Sequence, residues 1–572
     1  MTASVFYGDT MKDKDYTDDE MRRLLYSQAI KINQNKASHT YSRTFEGIAA
    51  KLEKAYSGKA EDEVPDEEKN VYAQYFVFSD CEQCGGTRLN ERALGATIAG
   101  GYSIADLCRM ELGDLLAVLR NLHDDLAVPV LRKAVFLLEQ LIHIGVGYLS
   151  LDRAVSTLSG GESQRVKMAR QLDCNLVDLL YVLDEPSIGL HPRDTERLIE
   201  LLFTLKDKGN SVIVVEHDPE IIKKAEWIID IGPEAGKNGG RVVYSGEPEG
   251  IKNTESITGR HLYGQKQGSY ERKKASGFIE ICNASVHNLK NVSVRIPQKV
   301  LTCVTGVAGS GKSSLIHECL AKSHPGAVLI DQSPAGKSSR ANLVTYIEVF
   351  DQIRKIFAES SGAAASLFSF NSKGACHKCK GQGVLRFELN FMDAVKTVCD
   401  ECEGKRYHAD VLAYRYRNCS IADVLDMTVT QALAFFTQPK IVTKLNVLKE
   451  VGLSYLRLGQ SLSTFSGGEA QRLKIALELG KKSNLYIMDE PTSGLHMSDI
   501  ANLYRIIRAL VDGGNTVVII EHNLDIIRHA DWVIDMGPEG GKFGGEIVFE
   551  GVPEDLVKHP ASHTGRFLKE LL

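Results

Sequence analysis

Three short apolar runs set the pattern of the second half of the chain: "VLTCVTG" (300–306), "LYIMDEP" (485–491) and "TVVIIEH" (516–522). They are continuous rather than alternating, as are strands buried on both faces of a parallel sheet. Gly-rich "GVAGSGKSS" follows the first run and "SLIHECLA" (314–321) then shows helical spacing, so this stretch reads strand, turn, helix. The pattern also repeats along the chain. "TLSGGESQRV" (157–166) pairs with "TFSGGEAQRL" (464–473), "LLYVLDEPSIGLHPRD" (179–194) with "NLYIMDEPTSGLHMSD" (484–499), and "SITGRHL" (256–262) with "SHTGRFL" (562–568). A match of this length predicts two α/β modules in tandem. Because both copies close on the same phrase, the expected division is 1–148 and 149–262 for the two parts of the first module, a polar linker at 263–276, and a second module at 277–572 with an insertion at about 340–460.

Gly306 to Ser313 fit G-x-x-x-x-G-K-[ST] in the right setting, after a strand and before a helix. Gly306, Gly309 and Gly311, with Ser310 and Ser314 beside them, let backbone N–H groups close around phosphates. Lys312 would reach the β and γ oxygens and Ser313 would ligate Mg²⁺. An apolar strand delivers Asp489 and Glu490 to its carboxyl end, where one carboxylate can hold Mg²⁺ through water and the next can polarise an attacking water. Glu490 is the candidate base. His522, closing the next strand, would sense the γ-phosphate, and Gln332 in "LIDQSP" would couple Mg²⁺ and water to neighbouring segments. An isolated His or Gln at a strand end is more often structural, and only the surrounding motifs argue otherwise. Ser159, Gly160, Gly161 and Glu162, like Ser466, Gly467, Gly468 and Glu469, open a helix whose amides and dipole can address a phosphate; a plain helix cap is the competing reading.

Composition changes this picture little. At 572 residues, 43% hydrophobic and 25% charged, the chain is an ordinary globular one, and its net charge of -6 leaves nucleic acid to a local patch. No apolar run approaches the roughly 18 residues of a membrane span, and the polar, acidic start is unlike a signal peptide, so a cytoplasmic location is expected. Six of twelve cysteines form three C-x-x-C pairs. Cys376, Cys379, Cys399 and Cys402, in C-x2-C-x19-C-x2-C, suit a closed tetrahedral Zn²⁺ site, with the intervening residues as a hairpin or loop. Lys373, Lys378, Lys380, Arg386, Lys396, Lys405 and Arg406 surround them, opposed by several acids; a solvated charged face and a phosphate-binding edge both remain open.

The P-loop, "SGGE-x-QR", "DEP" and the late His together resemble the ATP-binding-cassette (ABC) ATPases. In that family a signature turn completes the phosphate site of the opposite module, which accounts for two turns. "SGGESQRVKMA", "LDEPSIGLHPRD", "VVEHD", "IDIGPEAGKNGG" and "IDQSP" narrow the resemblance to the UvrA family of nucleotide excision repair, over nearly the whole chain. It implies an α/β fold with two ABC-type P-loop NTPase modules in tandem, inserted helical signature regions and a zinc-bound module. It also implies ATP, Mg²⁺ and Zn²⁺ as cofactors, double-stranded DNA and a UvrB-like protein as partners, a homodimer, and DNA contact by the zinc module.

The pattern breaks in the first module. Asp184, Glu185 and His217 are present, but no phosphate cradle precedes Ser159, and Cys81 with Cys84 form half a metal set that Cys108 would complete only weakly. Head-to-tail packing would set Lys312 and Glu490 against the turn at Ser159, one complete site. The other, built on Asp184, Glu185, His217 and Ser466, is expected to bind nucleotide poorly unless another polypeptide supplies the loop. The family places that loop and the UvrB-binding segment upstream, so a truncated or split protein is expected over a natural one-site variant. A UvrA-like paralogue that protects DNA from drugs is the alternative function, and a soluble ABC ATPase serving a transporter or ribosome a more distant one.

Overall fold

The computed structural model describes residues 17–27, 30–36, 39–45, 47–56, 80–98, 100–158, 160–172, 177–233, 239–264, 271–331, 340–389, 392–478 and 483–572. Two units divide at Arg88 and Leu89. In the first, Thr17 and Glu20 cap the helix Asp18–Tyr26 reciprocally, and an antiparallel hairpin of β1 (Ile30–Lys36) and β2 (His39–Phe45) precedes the helix Ile48–Tyr56.

The second unit opens on the short helix Glu91–Leu94, followed by a small hairpin, β3 (Thr97–Ile98) with β4 (Tyr102–Ser103), and, further on, the helices Leu112–Arg120 and Val128–His143. The helix Gly160–Leu172 then leads to β5 (Leu180–Asp184), the helix Pro192–Asp207, β6 (Ser211–Val215), β7 (Ile228–Gly232) and β8 (Arg241–Gly246). The second module follows with a hairpin of β9 (Phe278–Ala284) and β10 (Val292–Pro297), then β11 (Leu301–Gly306) and β12 (Val328–Ile330). Its insertion carries the hairpin β13 (Val384–Leu389) and β14 (Met392–Val398). The helix Gly467–Glu478, β15 (Leu485–Asp489), β16 (Thr516–Ile520), β17 (Trp532–Gly537) and β18 (Glu546–Gly551) complete it.

Five parallel strands and one antiparallel edge strand form the second module's sheet, in the order β12-β15-β16-β11-β17-β18. The continuous apolar run in β11 has its reason here: all six residues are buried between β16 and β17. One face packs Leu301 and Cys303 against the helix Met497–Asp512; the other packs Val304 against β9, β10 and the segment after the phosphate loop. That segment, Ser314–Ala321, is helical as its spacing predicts, but wound as a π-helix. The wider turn is a form that concentrates at functional sites.

The first module repeats the strands without the central one. β5–β6 and β7–β8 are separate two-stranded sheets, and among the described residues no strand lies between β6 and β7. Ile213 and Ile229 are accordingly 53% and 62% exposed, whereas their counterparts Val518 and Ile534 are at 0%. Burying such a side chain contributes about 1.5–3 kcal/mol, so the same sequence pattern stabilises the second sheet far more than the first. The insertion has its own core, in which Phe357, Phe368, Phe370 and Tyr407 are fully buried.

Candidate active site and metal centre

β11 ends at Gly306, where φ is +134°, and the loop turns again through Gly309 (+73°) and Gly311 (+102°). Only glycine adopts such a series without strain. A Cβ on Gly306 would stand 2.0 Å from the Met536 carbonyl oxygen, so the close packing of β11 on β17 also requires it. Lys312 is buried and donates to the carbonyls of Gly306 and Val307, both at 2.9 Å, which folds it over its own loop. Burial lowers its pKa, and Glu490 leads the charges that oppose the shift. The Ser310 hydroxyl is buried without a hydrogen-bond partner among the described residues. Ser313 is exposed at the start of the π-helix and makes no capping bond, and Ser314 is half-buried behind it. An orphaned hydroxyl, a buried cation and a free hydroxyl around a cradle of positive-φ glycines fit a nucleotide phosphate with Mg²⁺.

Asp489 and Glu490 close β15 beside this loop. Asp489 Oδ2 lies 2.9 Å from His317 Nε2 on the π-helix, and that contact raises the His317 pKa. Glu490 takes φ of +44°, a conformation that costs a non-glycine residue of order 1–3 kcal/mol and that clusters at active sites. Its N–H bonds the Ile520 carbonyl at 2.9 Å, and Oε1 lies 3.6 Å from His522 Nε2. Burial, then Lys312 and His191, hold His522 well below the usual histidine range, so it is neutral; its Nδ1 is buried and has no partner among the described residues. Gln332 lies outside the described residues.

The first module completes this site. Tyr148 donates to Glu162 Oε1 at 2.6 Å, and its ring lies against the phosphate loop, 2.7 Å from where a Cβ on Gly309 would stand. Glu162 and Gly161 are both buried at the start of the signature helix, next to Gly160. Ser159 lies outside the described residues. From the turn after Asp184 and Glu185, Gly189 comes so near Glu490 that a Cβ there would be 2.8 Å from Oε2, and its φ is +67°. Arg193 donates to both Glu539 oxygens at 2.8 and 2.9 Å, and Arg566 to Glu196 at 2.8 Å, pinning the modules together. Gly189→Ala is therefore expected to displace the Glu490 carboxylate and lower ATP turnover by up to about 100-fold, the scale of an ångström-sized misplacement. Steady-state ATPase assays alongside nucleotide titration check this; unchanged turnover would refute the contact.

The second set of residues mirrors the first. Glu185 has φ of +45°, with His217 3.5 Å away, and Gly494 meets its carboxylate as Gly189 meets that of Glu490. Ser466 and Glu469 cap the second signature helix at Gly467, Tyr455 donates to Glu469, and Gly468 lies against the Gly494 carbonyl. Asp184 ends β5, in the place Asp489 has on β15. Here, though, a cleft of about 1690 Å³ opens along β6 and β7, lined by His217, Ile229, Tyr455 and His496. Glu185 raises the His217 pKa, the reverse of the shift at His522, because this histidine is half-exposed and paired.

Cys376, Cys379, Cys399 and Cys402 are all buried, with sulfur atoms within 4.8 Å of one another. The closest pairs, Cys379 with Cys402 at 3.6 Å and Cys376 with Cys399 at 3.9 Å, match the ~3.8 Å edge of a tetrahedron with Zn–S of about 2.3 Å. Burial pushes the Cys402 thiol up to about 12, whereas a bound Zn²⁺ would hold it as thiolate. Among the described residues Cys81 and Cys84 join no such cluster. Of the basic residues nearby, Lys378 pairs with Asp400, Lys405 with Glu403, and Arg406 lies over the Phe370 ring, which leaves Lys373 and Lys380 exposed; the Arg386 and Lys396 side chains lie outside the described residues.

Sequence reasoning singled out neither Tyr148, Gly189 nor His317. Gly189 carries a signal, since "GLH" recurs in both copies of the repeat. The other two act through contacts between distant segments.

Fold and site together define an ABC-type P-loop module pair. The sequence profile of the family described as ABC transporter matches residues 289–493. The chain is 45% identical to UvrABC system protein A of Aquifex aeolicus, over 93% of this chain and 62% of that protein, and 43% identical to that of Thermus thermophilus, over 98% and 63%. It thus spans a little over three fifths of the length of these relatives. The crystal structure of UvrA2 from Deinococcus radiodurans superposes with a TM-score of 0.86 at 36% identity, covering 98% of this chain and 76% of that one. The chain belongs to the UvrA family of ABC ATPases.

Proposed function

We propose that the chain hydrolyses ATP at the composite site of Lys312, Ser313, Asp489, Glu490 and His522, and couples the cycle to binding of distorted duplex DNA in nucleotide excision repair. The observation that carries the ATPase reading is the meeting of two modules at one phosphate loop, with Tyr148 on Gly309 and Gly189 on Glu490. Bound nucleotide would draw Lys312 from its own carbonyls to the β and γ oxygens. Ser313 and, through water, Asp489 would hold Mg²⁺, which neutralises charge developing on the phosphates. His317 engages only Oδ2 of Asp489, so Oδ1 would remain for the Mg²⁺-bound water. Glu490 would accept a proton from the attacking water, and His522, neutral and with Nδ1 unpaired among the described residues, would present its ring to the γ-phosphate. Glu162 and Gly161, carried by the opposite module, would close the site, so ATP binding favours the joined modules and hydrolysis loosens them.

The DNA reading is supported by the family relationship and by the exposed Lys373 and Lys380 at the zinc-binding corner. Lesions share altered mechanics rather than a hydrogen-bond code, so recognition would run through deformability. No described helix is long and apolar enough to cross a membrane, in keeping with a cytoplasmic protein, acting as a homodimer with a UvrB-like partner. At the second site, Asp184, Glu185, His217 and Ser466 would need a strand and phosphate loop that the described residues do not supply, and the gap between β6 and β7 has the room for them.

The test is ATP turnover with and without duplex DNA carrying a bulky lesion, at several salt concentrations. Turnover that responds to lesion DNA, with affinity falling as salt rises, is the expected result. Turnover indifferent to DNA, with a membrane protein recovered in pull-downs, would favour an ABC ATPase serving a transporter.

A further inference from the structure

The closing phrases of the two modules, "SITGR" and "SHTGR", do more than end a repeat. Ser562 and Thr564 donate to the two oxygens of Asp535 at the end of β17, at 2.5 and 3.1 Å. Thr564 in turn sits 3.0 Å from Nε2 of His191, which belongs to the first module. The Arg193 N–H donates to His191 Nδ1, so the proton is on Nε2 and Thr564 accepts it. His191 is fully buried, held neutral by burial and then by Lys312, and its ring meets the His522 ring edge-on with centroids 5.8 Å apart. Asp535, Thr564, His191 and His522 therefore form one chain that leaves the second module and returns to it. The other side repeats it: Asp230, Thr258 and His496 lead to His217, whose ring is 5.7 Å from that of His496.

Among the described residues His522 has no hydrogen-bond partner at Nδ1, and its Nε2 lies 3.6 Å from Glu490, too long for a hydrogen bond to fix the ring. A ring held edge-on against a second ring that is itself hydrogen-bonded at both nitrogens has a defined orientation. We propose that His191 is a positioning residue, through which docking of the first module onto Thr564 orients His522 for the γ-phosphate, making hydrolysis at the complete site conditional on a side chain from the opposite module. This rests on the ATPase reading above, and it adds to that reading a check on module docking that is separate from the signature turn.

The experiment compares the wild-type chain with His191→Ala, Thr564→Val and His191→Gln. The first two are expected to lower kcat at least about tenfold while KM for ATP stays within about threefold, the signature of lost transition-state positioning. His191→Gln, whose amide can donate to Thr564 in place of Nε2, is expected to recover most of kcat. Unchanged kcat in the first two, or equal losses in all three that track a fall in thermal midpoint, would overturn the proposal. An inactive wild-type chain would sink the ATPase reading instead. The relay is then judged on ¹³C-histidine spectra, with His522 assigned by its loss in His522→Asn: Thr564→Val must shift the His522 ring signal and leave that of His217 in place, and an unmoved His522 signal overturns it.

Discussion

Glu490→Gln is expected to lower ATP turnover by about 10²–10⁴-fold, the range lost with a general base, while ATP still binds. The amide is nearly isosteric with the carboxylate, so the contact with Gly189 and the strained φ of +44° persist and only proton acceptance is lost. The phosphate loop is untouched, because Lys312 bonds backbone carbonyls and not Glu490. Glu185→Gln is expected to have a much smaller effect. Glu185 has the same backbone strain and a comparable histidine partner, but it faces a cleft where the described residues hold no phosphate loop. The pair of substitutions thus separates chemistry from geometry. Steady-state turnover with a fluorescent ATP analogue as the binding probe checks it. Equal losses from both would mean that the two sites work as one, and no loss from Glu490→Gln would remove Glu490 as the base.

Much of this site was legible in the sequence because its chemistry is local. A phosphate loop needs glycine at fixed offsets, and Gly306, Gly309 and Gly311 carry positive φ where the motif places them. Four cysteines in two close pairs state their geometry almost outright. The pairing of the modules was legible only through resemblance, since Tyr148 and Gly309 are far apart in sequence and no periodicity links them. The π-helix was not legible at all: "SLIHECLA" has the spacing of an α-helix, and the difference lies in backbone bonding that side-chain pattern does not report. The first module, whose described strands have no central partner, shows the converse. "SVIVV" reads as a buried strand, yet Ile213 and Val215 are exposed, because burial depends on neighbours that the pattern presupposes and does not supply.

Removing zinc is expected to loosen the insertion and leave the ATP-binding sheet folded. The four cysteines join residues 376–379 to 399–402 at the base of the β13–β14 hairpin, and among the described residues Leu385 is the partly buried hydrophobic packed on them. With little described apolar surface on the cysteines, a bound Zn²⁺ would supply most of what holds this corner; structural zinc contributes about 10–16 kcal/mol in isolated finger peptides at neutral pH. The neighbouring core does not depend on it to the same degree, since Phe357, Phe368 and Tyr407 are buried among the insertion's helices. Loss of order should therefore stop near Tyr407. Cys399→Ser, or chelation, is expected to abolish a stoichiometry of one zinc per chain and to open 376–402 to protease, with ATP binding at Lys312 retained. DNA affinity should fall in parallel, because Lys373 and Lys380 stand on the corner that the metal fixes. Zinc loss with DNA affinity intact would separate the metal from DNA recognition, and a protein that never held zinc would refute the metal assignment itself.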